Sequence, residues 1–79
     1  MTSLDVVIVN WNAGPQLAAC LSSLAACDDA ASLRAVVVDN ASTDGSADDL
    51  ERPGLHVTVL RNAENLGFAR ACNQGAAVP

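Results

Sequence analysis

Three short runs rich in Val, Ile and Leu, at Leu4 to Asn10, Leu33 to Asp39 and His56 to Arg61, constrain the fold more than any other feature of this chain. Their apolar residues follow one another instead of alternating with polar ones, the pattern of strands covered on both faces in a parallel sheet. Between the first two runs, Leu17, Cys20, Leu21, Leu24 and Cys27 recur at the spacing of one helix face. Pro15 suits the first turn of such a helix, where a missing N–H costs nothing, so a helix is predicted from Pro15 to Cys27. Between the second and third runs, Ser46-Ala47-Asp48-Asp49 has the form of a capping box with Asp in the usual place of Glu. It predicts a short acidic helix that Pro53-Gly54 ends. After the third run, Asn65 is placed to cap a last helix reaching Ala77. The expected fold is α/β: a Rossmann-like, three-layer β-α-β-α-β-α unit with a parallel sheet in order 3-2-1 and right-handed crossovers.

At 79 residues the chain makes one small domain, residues 1–79, burying roughly 60–65% of the surface its unfolded form exposes. With 51% hydrophobic and 16% charged residues it is too apolar for disorder. Nine acids against four Arg, with no Lys, leave a formal charge of −5, the wrong sign for tracking phosphate backbones, so nucleic acid is not an expected partner. Three Cys form no secreted disulfide framework and fit a reducing cytoplasm. Cys20, Cys27 and Cys72 read as small core residues. Met1-Thr2-Ser3-Leu4-Asp5 offers no basic stretch before the first apolar run, so no signal peptide is expected, and no apolar run approaches the roughly 18 residues of a membrane span. The first strand would lie at an exposed edge, and the chain stops after a helical pattern, which suggests a fragment of a larger α/β domain.

In an open parallel sheet, ligands bind beyond the carboxyl ends of the strands. The segments there are Asn10-Trp11-Asn12-Ala13-Gly14, Asp39 to Ser46, and Arg61 to Gly67. Asn, Asp, Ser and Gly also populate loops simply because they cap helices and tolerate unusual φ, so few of these residues need a function. Trp11 suits either the core or the rim, where it offers a flat face to a planar ligand. Asp39 ends the second strand, where nucleotide folds accept a hydrogen bond from ribose or base, and Asn40 beside it can donate or accept. Dinucleotide binding is disfavoured, because Asn10 to Pro15 is not G-x-G-x-x-G, and without Lys there is no P-loop. His56 stands alone, without Cys or His at ligand spacing, and reads as structural. Asp48, Asp49 and Glu51 read as a solvated helix face. Asn40-Ala41-Ser42 matches a glycosylation acceptor that has no meaning in a cytosolic chain.

Taken together, Val6 to Asn12, Val37-Val38-Asp39-Asn40-Ala41-Ser42-Thr43-Asp44-Gly45-Ser46, and Asn65-Leu66-Gly67-Phe68-Ala69-Arg70-Ala71-Cys72-Asn73-Gln74-Gly75 resemble the N-terminal part of family 2 glycosyltransferases, in the flavour of the rhamnosyltransferase and galactofuranosyltransferase branch. The order and spacing of the three motifs cover essentially the whole chain. The resemblance implies the N-terminal part of a GT-A fold and transfer of a hexosyl or rhamnosyl unit from a UDP-sugar or dTDP-sugar donor to a carbohydrate or lipid-linked acceptor, in cell-wall or polysaccharide biosynthesis. It further implies a cytoplasmic enzyme with peripheral association at the inner membrane face. By the same resemblance Trp11 lies against the pyrimidine, Asp39 and Asn40 match the acidic pair that contacts pyrimidine and ribose, and Asn10, Asn12, Ser42, Asp44, Asn65, Gly67, Arg70 and Asn73 complete the nucleotide-binding set.

The chain departs from the family pattern in three places. Asn40 stands where many members have a second Asp, leaving open which of the pair reads the base. Cys72 stands where many have Arg, and Arg70 lies about 200° away around a helix. No D-x-D is present, so the ligands of the expected divalent cation, Mg²⁺ or Mn²⁺, and the catalytic base are not in this chain. The alternative to a donor-nucleotide segment inactive by itself is a non-catalytic nucleotide-binding or interaction module. A flavodoxin-like or receiver domain would need an acidic cluster or flavin-phosphate loop that is not visible.

Overall fold

The computed structural model describes residues 4–79; the expectation drawn from Met1-Thr2-Ser3, that they open no signal peptide, lies outside the described residues. Three strands, β1 (Leu4–Asn10), β2 (Leu33–Asp39) and β3 (His56–Arg61), form a parallel sheet in the order β1-β2-β3. These are the predicted bounds and the predicted order. Val7 lies beside Val36 and Ile8 beside Val37, which in turn lies beside Val59.

Because successive strand side chains point to opposite faces, this register sorts the apolar residues into two layers. Ile8, Ala35, Val37, Val57 and Val59 pack with Leu17 and Leu21 of helix α1 (Pro15–Ala25), and Ala47, Leu50 and Leu55 close the same cluster. Burial of a side chain such as Leu21, wholly covered, contributes about 1.5–3 kcal/mol. Val7 and Val38 point the other way, onto Gly75 of helix α2 (Phe68–Ala76). The result is the expected three-layer, Rossmann-like α/β arrangement. The central strand is covered from Ala35 to Asp39, with Ala35 to Val38 all at 0% exposure, whereas most of β1 and β3 is half-buried. At the end of the sheet where the strands begin, Arg34 pairs with Asp5 of β1 at 2.6 Å and donates to the carbonyls of Val78 and Pro79, tying the chain beyond α2 to the sheet.

Several local expectations are corrected. The acidic helix predicted from Ser46 does not form; its segment is turns and bends. The Ser46 hydroxyl accepts from Asn10 Nδ2 at 2.9 Å instead of capping a helix, and Asp49 sits at φ 52, a left-handed conformation that interrupts one. Asp48, Asp49 and Glu51 are exposed but share no helix face. Arg52 holds this loop against α1 through Ser22 Oγ and the carbonyl of Ala18. Cys20 and Cys27 are exposed and Cys72 half-buried, so none forms the core; α1 ends at Ala25 and buries only Leu17 and Leu21. A single 3₁₀ turn, Ala30–Ser32, leads into β2 without a sequence signal. Finally, α2 starts after Gly67 with no side-chain cap, because Asn65 Oδ1 accepts from Gly67 N at 2.8 Å in a local turn.

Candidate functional site

The carboxyl ends of the three strands lie level, with Asn10 beside Asp39 and Asp39 beside Arg61. Two more backbone bonds extend the ladder past the strands, Asn40 N to Asn10 O and Asn62 N to Asp39 O, each 2.8 Å. Three loops therefore leave from one rim.

The first and second loops are laced together around a buried carboxylate. Asp39, 3% exposed, receives Asn10 Nδ2 at 2.9 Å and Ser42 Oγ at 2.6 Å on Oδ1, and the Ser42 N–H at 3.3 Å on Oδ2. These donors offset the cost of taking the carboxylate out of water. Asn10, 1% exposed, also donates to Ser42 Oγ and Ser46 Oγ, while its own Oδ1 is buried without a partner. An unpaired buried acceptor costs about 1–3 kcal/mol, so the orientation of this amide is set by its NH₂ end. Further out, Asn12 N donates to Ser42 Oγ at 2.9 Å and Asn12 Oδ1 accepts from Thr43 N at 2.8 Å. Gly14, at φ 62 where a side chain would be strained, donates its N–H to Asp44 Oδ2 at 2.9 Å.

A second network joins the second and third loops. Asn40 Oδ1 accepts from Asn62 Nδ2 at 2.9 Å and from Leu66 N at 3.4 Å, and its Nδ2 donates to Gly67 O at 3.2 Å. Asn62 and Gln74 exchange two amide bonds of 2.9 Å each, anchoring the third loop to α2. Asn40 is buried in this network, its amide engaged at both ends.

Of the predicted site residues, Asn10, Asn12, Asp39, Ser42 and Asp44 belong to the first network, and Asn40 and Gly67 to the second. Trp11 is 59% exposed at the rim, away from the core. Asn65 holds Gly67, while Arg70 and Asn73, three residues apart on α2, are exposed and enter neither network. Ser46, Asn62 and Gln74 are the rim residues that sequence reasoning passed over. Ser46 carried a local helix-cap signal that outweighed its long-range role, and the Asn62–Gln74 pair has no signal in sequence. A groove of about 550 Å³ on the flank of β3, lined by Leu50, Val57, Val59 and Arg61, takes in none of the predicted residues. Among the described residues no group of three His, Cys, Asp or Glu converges to hold a metal ion. Asp39 and Asp44 belong to no such group.

Asp44 is held below the ordinary carboxylate range, first by the Ser46 hydroxyl, then by the Ser46 backbone N–H and that of Gly14. A depressed folded value means the carboxylate stabilises the fold above its ordinary pKa, and that this contribution disappears as pH falls through the folded value. Asp44→Ala is expected to melt lower than the parent chain at pH 7, with the gap closing below about pH 4, in melts run across that range.

Ala41 adopts φ 64 between Asn40 and Ser42, a strained conformation for a residue with a Cβ. Ala41→Gly removes that strain but loosens the unfolded chain, so stability is expected to rise by up to about 1 kcal/mol. A higher urea midpoint at unchanged slope is the readout.

A model of the family described as Glycosyl transferase family 2 matches residues 5–78. No curated protein and no solved structure matches the chain.

Proposed function

The chain belongs to glycosyl transferase family 2, and on that basis we propose that its rim receives the nucleoside diphosphate of a UDP-sugar or dTDP-sugar donor, whose sugar passes to a hydroxyl of a carbohydrate or lipid-linked acceptor. The observation that carries this reading is Asp39: a buried carboxylate at the end of the central strand, fixed by three donors from the end of β1 and the second loop, beside the exposed Trp11. Uracil and thymine carry one N–H between two carbonyls, and a fixed carboxylate oxygen accepts from it while an indole face covers the ring. Asn40 has both ends of its amide engaged, which favours Asp39 as the group that reads the base. Arg70, exposed on the first turn of α2, is the cation available to the diphosphate. Cytoplasmic hexosyl or rhamnosyl transfer in polysaccharide synthesis, at the inner membrane face, belongs to the same proposal and rests on the motifs. The described residues contribute binding and orientation of the donor; no proton transfer and no metal-assisted step is assigned to them.

The test is an amide NMR titration of the 79-residue chain with UDP, dTDP and, as control, NADH, each with and without Mg²⁺. Shifts at Trp11, Asn12 and Asp39 with the pyrimidine nucleotides and not with NADH are expected. Dispersed spectra that ignore every nucleotide would replace this reading with that of a non-catalytic module.

A further inference from the structure

We infer that Asn10 is a positioning residue for base recognition, acting through Asp39; this rests on the donor reading given above. Asn10 ends β1 at 1% exposure with its amide hydrogens committed to neighbouring side chains, so its influence passes through those neighbours. Its Nδ2 carries two hydrogens yet lies within bonding distance of three acceptors, Asp39 Oδ1 at the end of β2 and Ser42 Oγ and Ser46 Oγ on the loop that follows. The opposite end of the amide, Oδ1, is buried with no partner. Turning the amide over would bring that carbonyl against the Asp39 carboxylate, an acceptor facing an acceptor, so the NH₂ end is held where it is. Asn10 therefore ties up one specific oxygen of Asp39. Oδ1 receives two strong bonds, from Asn10 and the Ser42 hydroxyl, while Oδ2 receives only the 3.3 Å bond from the Ser42 N–H. Oδ2 is the oxygen left with capacity to accept, and the amide of Asn10 selects it.

A carboxylate oxygen pinned in one place accepts the N3–H of uracil and repels the N3 lone pair of cytosine. A carboxylate free to turn also accepts the cytosine amino group. Asn10 thus controls discrimination between the two bases, and a residue that merely filled space would not.

The decisive readout is the ratio of UDP to CDP affinity, by calorimetry, on the 79-residue chain. The parent chain is expected to prefer UDP by at least about tenfold, the effect of one charge-assisted hydrogen bond. Asn10→Ala is expected to bring the ratio close to one; a folded Asn10→Ala chain with the parent ratio overturns the inference. Where Asn10→Ala does not fold, Asn10→Ser places a hydroxyl at the position and withdraws the amide from Asp39 Oδ1. That chain is expected to bring the ratio close to one as well, and a folded Asn10→Ser chain with the parent ratio overturns the inference. In the unmutated chain, the Asn10 side-chain NH₂ signals are expected to move with UDP and not with saturating CDP; signals unmoved by UDP count against it whether or not either variant folds. A parent chain that binds neither nucleotide removes the donor reading itself, and this inference with it.

Discussion

Asp39→Ala is expected to abolish UDP binding and to destabilise the rim at the same time. Removing the carboxylate leaves Asn10 Nδ2, the Ser42 hydroxyl and the Ser42 N–H without their shared acceptor in a site that is 3% exposed. Asn10 Nδ2 keeps Ser42 Oγ and Ser46 Oγ, but each Ser42 donor left unpaired costs about 1–3 kcal/mol, a large part of the roughly 5–15 kcal/mol that holds a small domain folded. The change in binding has to be separated from that change in stability. Asp39→Asn does so, because an amide oxygen still accepts from Asn10 and Ser42 while the negative charge is gone. Its UDP affinity is expected to fall about 10- to 100-fold, the worth of a hydrogen bond to a charged group, with a melting point closer to the parent than that of Asp39→Ala. Calorimetric titration alongside thermal melts checks both. An Asp39→Asn chain that binds UDP as tightly as the parent would show that Asp39 only braces the loops.

Gly75→Val is expected to give the largest loss of stability of any single change discussed. Gly75 is buried where α2 crosses the sheet; a Cβ there would overlap Val7 Cγ1 and stand 3.2 Å from Val38 Cγ2. Val38 is wholly buried in the covered part of the central strand and has nowhere to retreat. Even Gly75→Ala sets a gain of about 1 kcal/mol in helix propensity against an overpacking cost of about 1–3 kcal/mol. The two further carbons of Val must push α2 off the sheet. A cost above about 3 kcal/mol lowers the melting point by more than about 12 °C in a domain of this size. If the overlap with Val7 is the cause, Val7→Ala recovers part of the loss caused by Gly75→Ala, and a purely additive pair would point to another cause.

Gly75 also shows where sequence reading stops. The motif containing it is visible in the chain, but the reason for a glycine at that position is a helix passing against β1 and β2, and no local pattern encodes that approach. Ser46 illustrates the same limit from the other side. Its capping-box context is a local signal, and the local signal lost to a hydrogen bond from Asn10, 36 residues away. A bond inside that buried network outweighs one helix cap worth about 1 kcal/mol. Likewise Asn40 and Asp39 are adjacent and chemically similar, yet one amide is enclosed by Asn62, Leu66 and Gly67 while one oxygen of the neighbouring carboxylate receives a single 3.3 Å bond.

The strand bounds, the strand order and the grouping of polar residues at one end of the sheet were determined by the sequence alone. Consecutive apolar runs separated by helical patterns fit strands covered on both faces of a parallel sheet, and a parallel sheet sends its connecting loops from the same rim. The motifs placed the chain in its family, which the match over residues 5–78 establishes. Only the tertiary structure decided which polar residues of that rim face each other, that the second crossover is a loop, and that the cysteines lie outside the core. These depend on contacts between residues distant in the chain, where one buried hydrogen bond or one methyl overlap outweighs the local preference that a sequence displays.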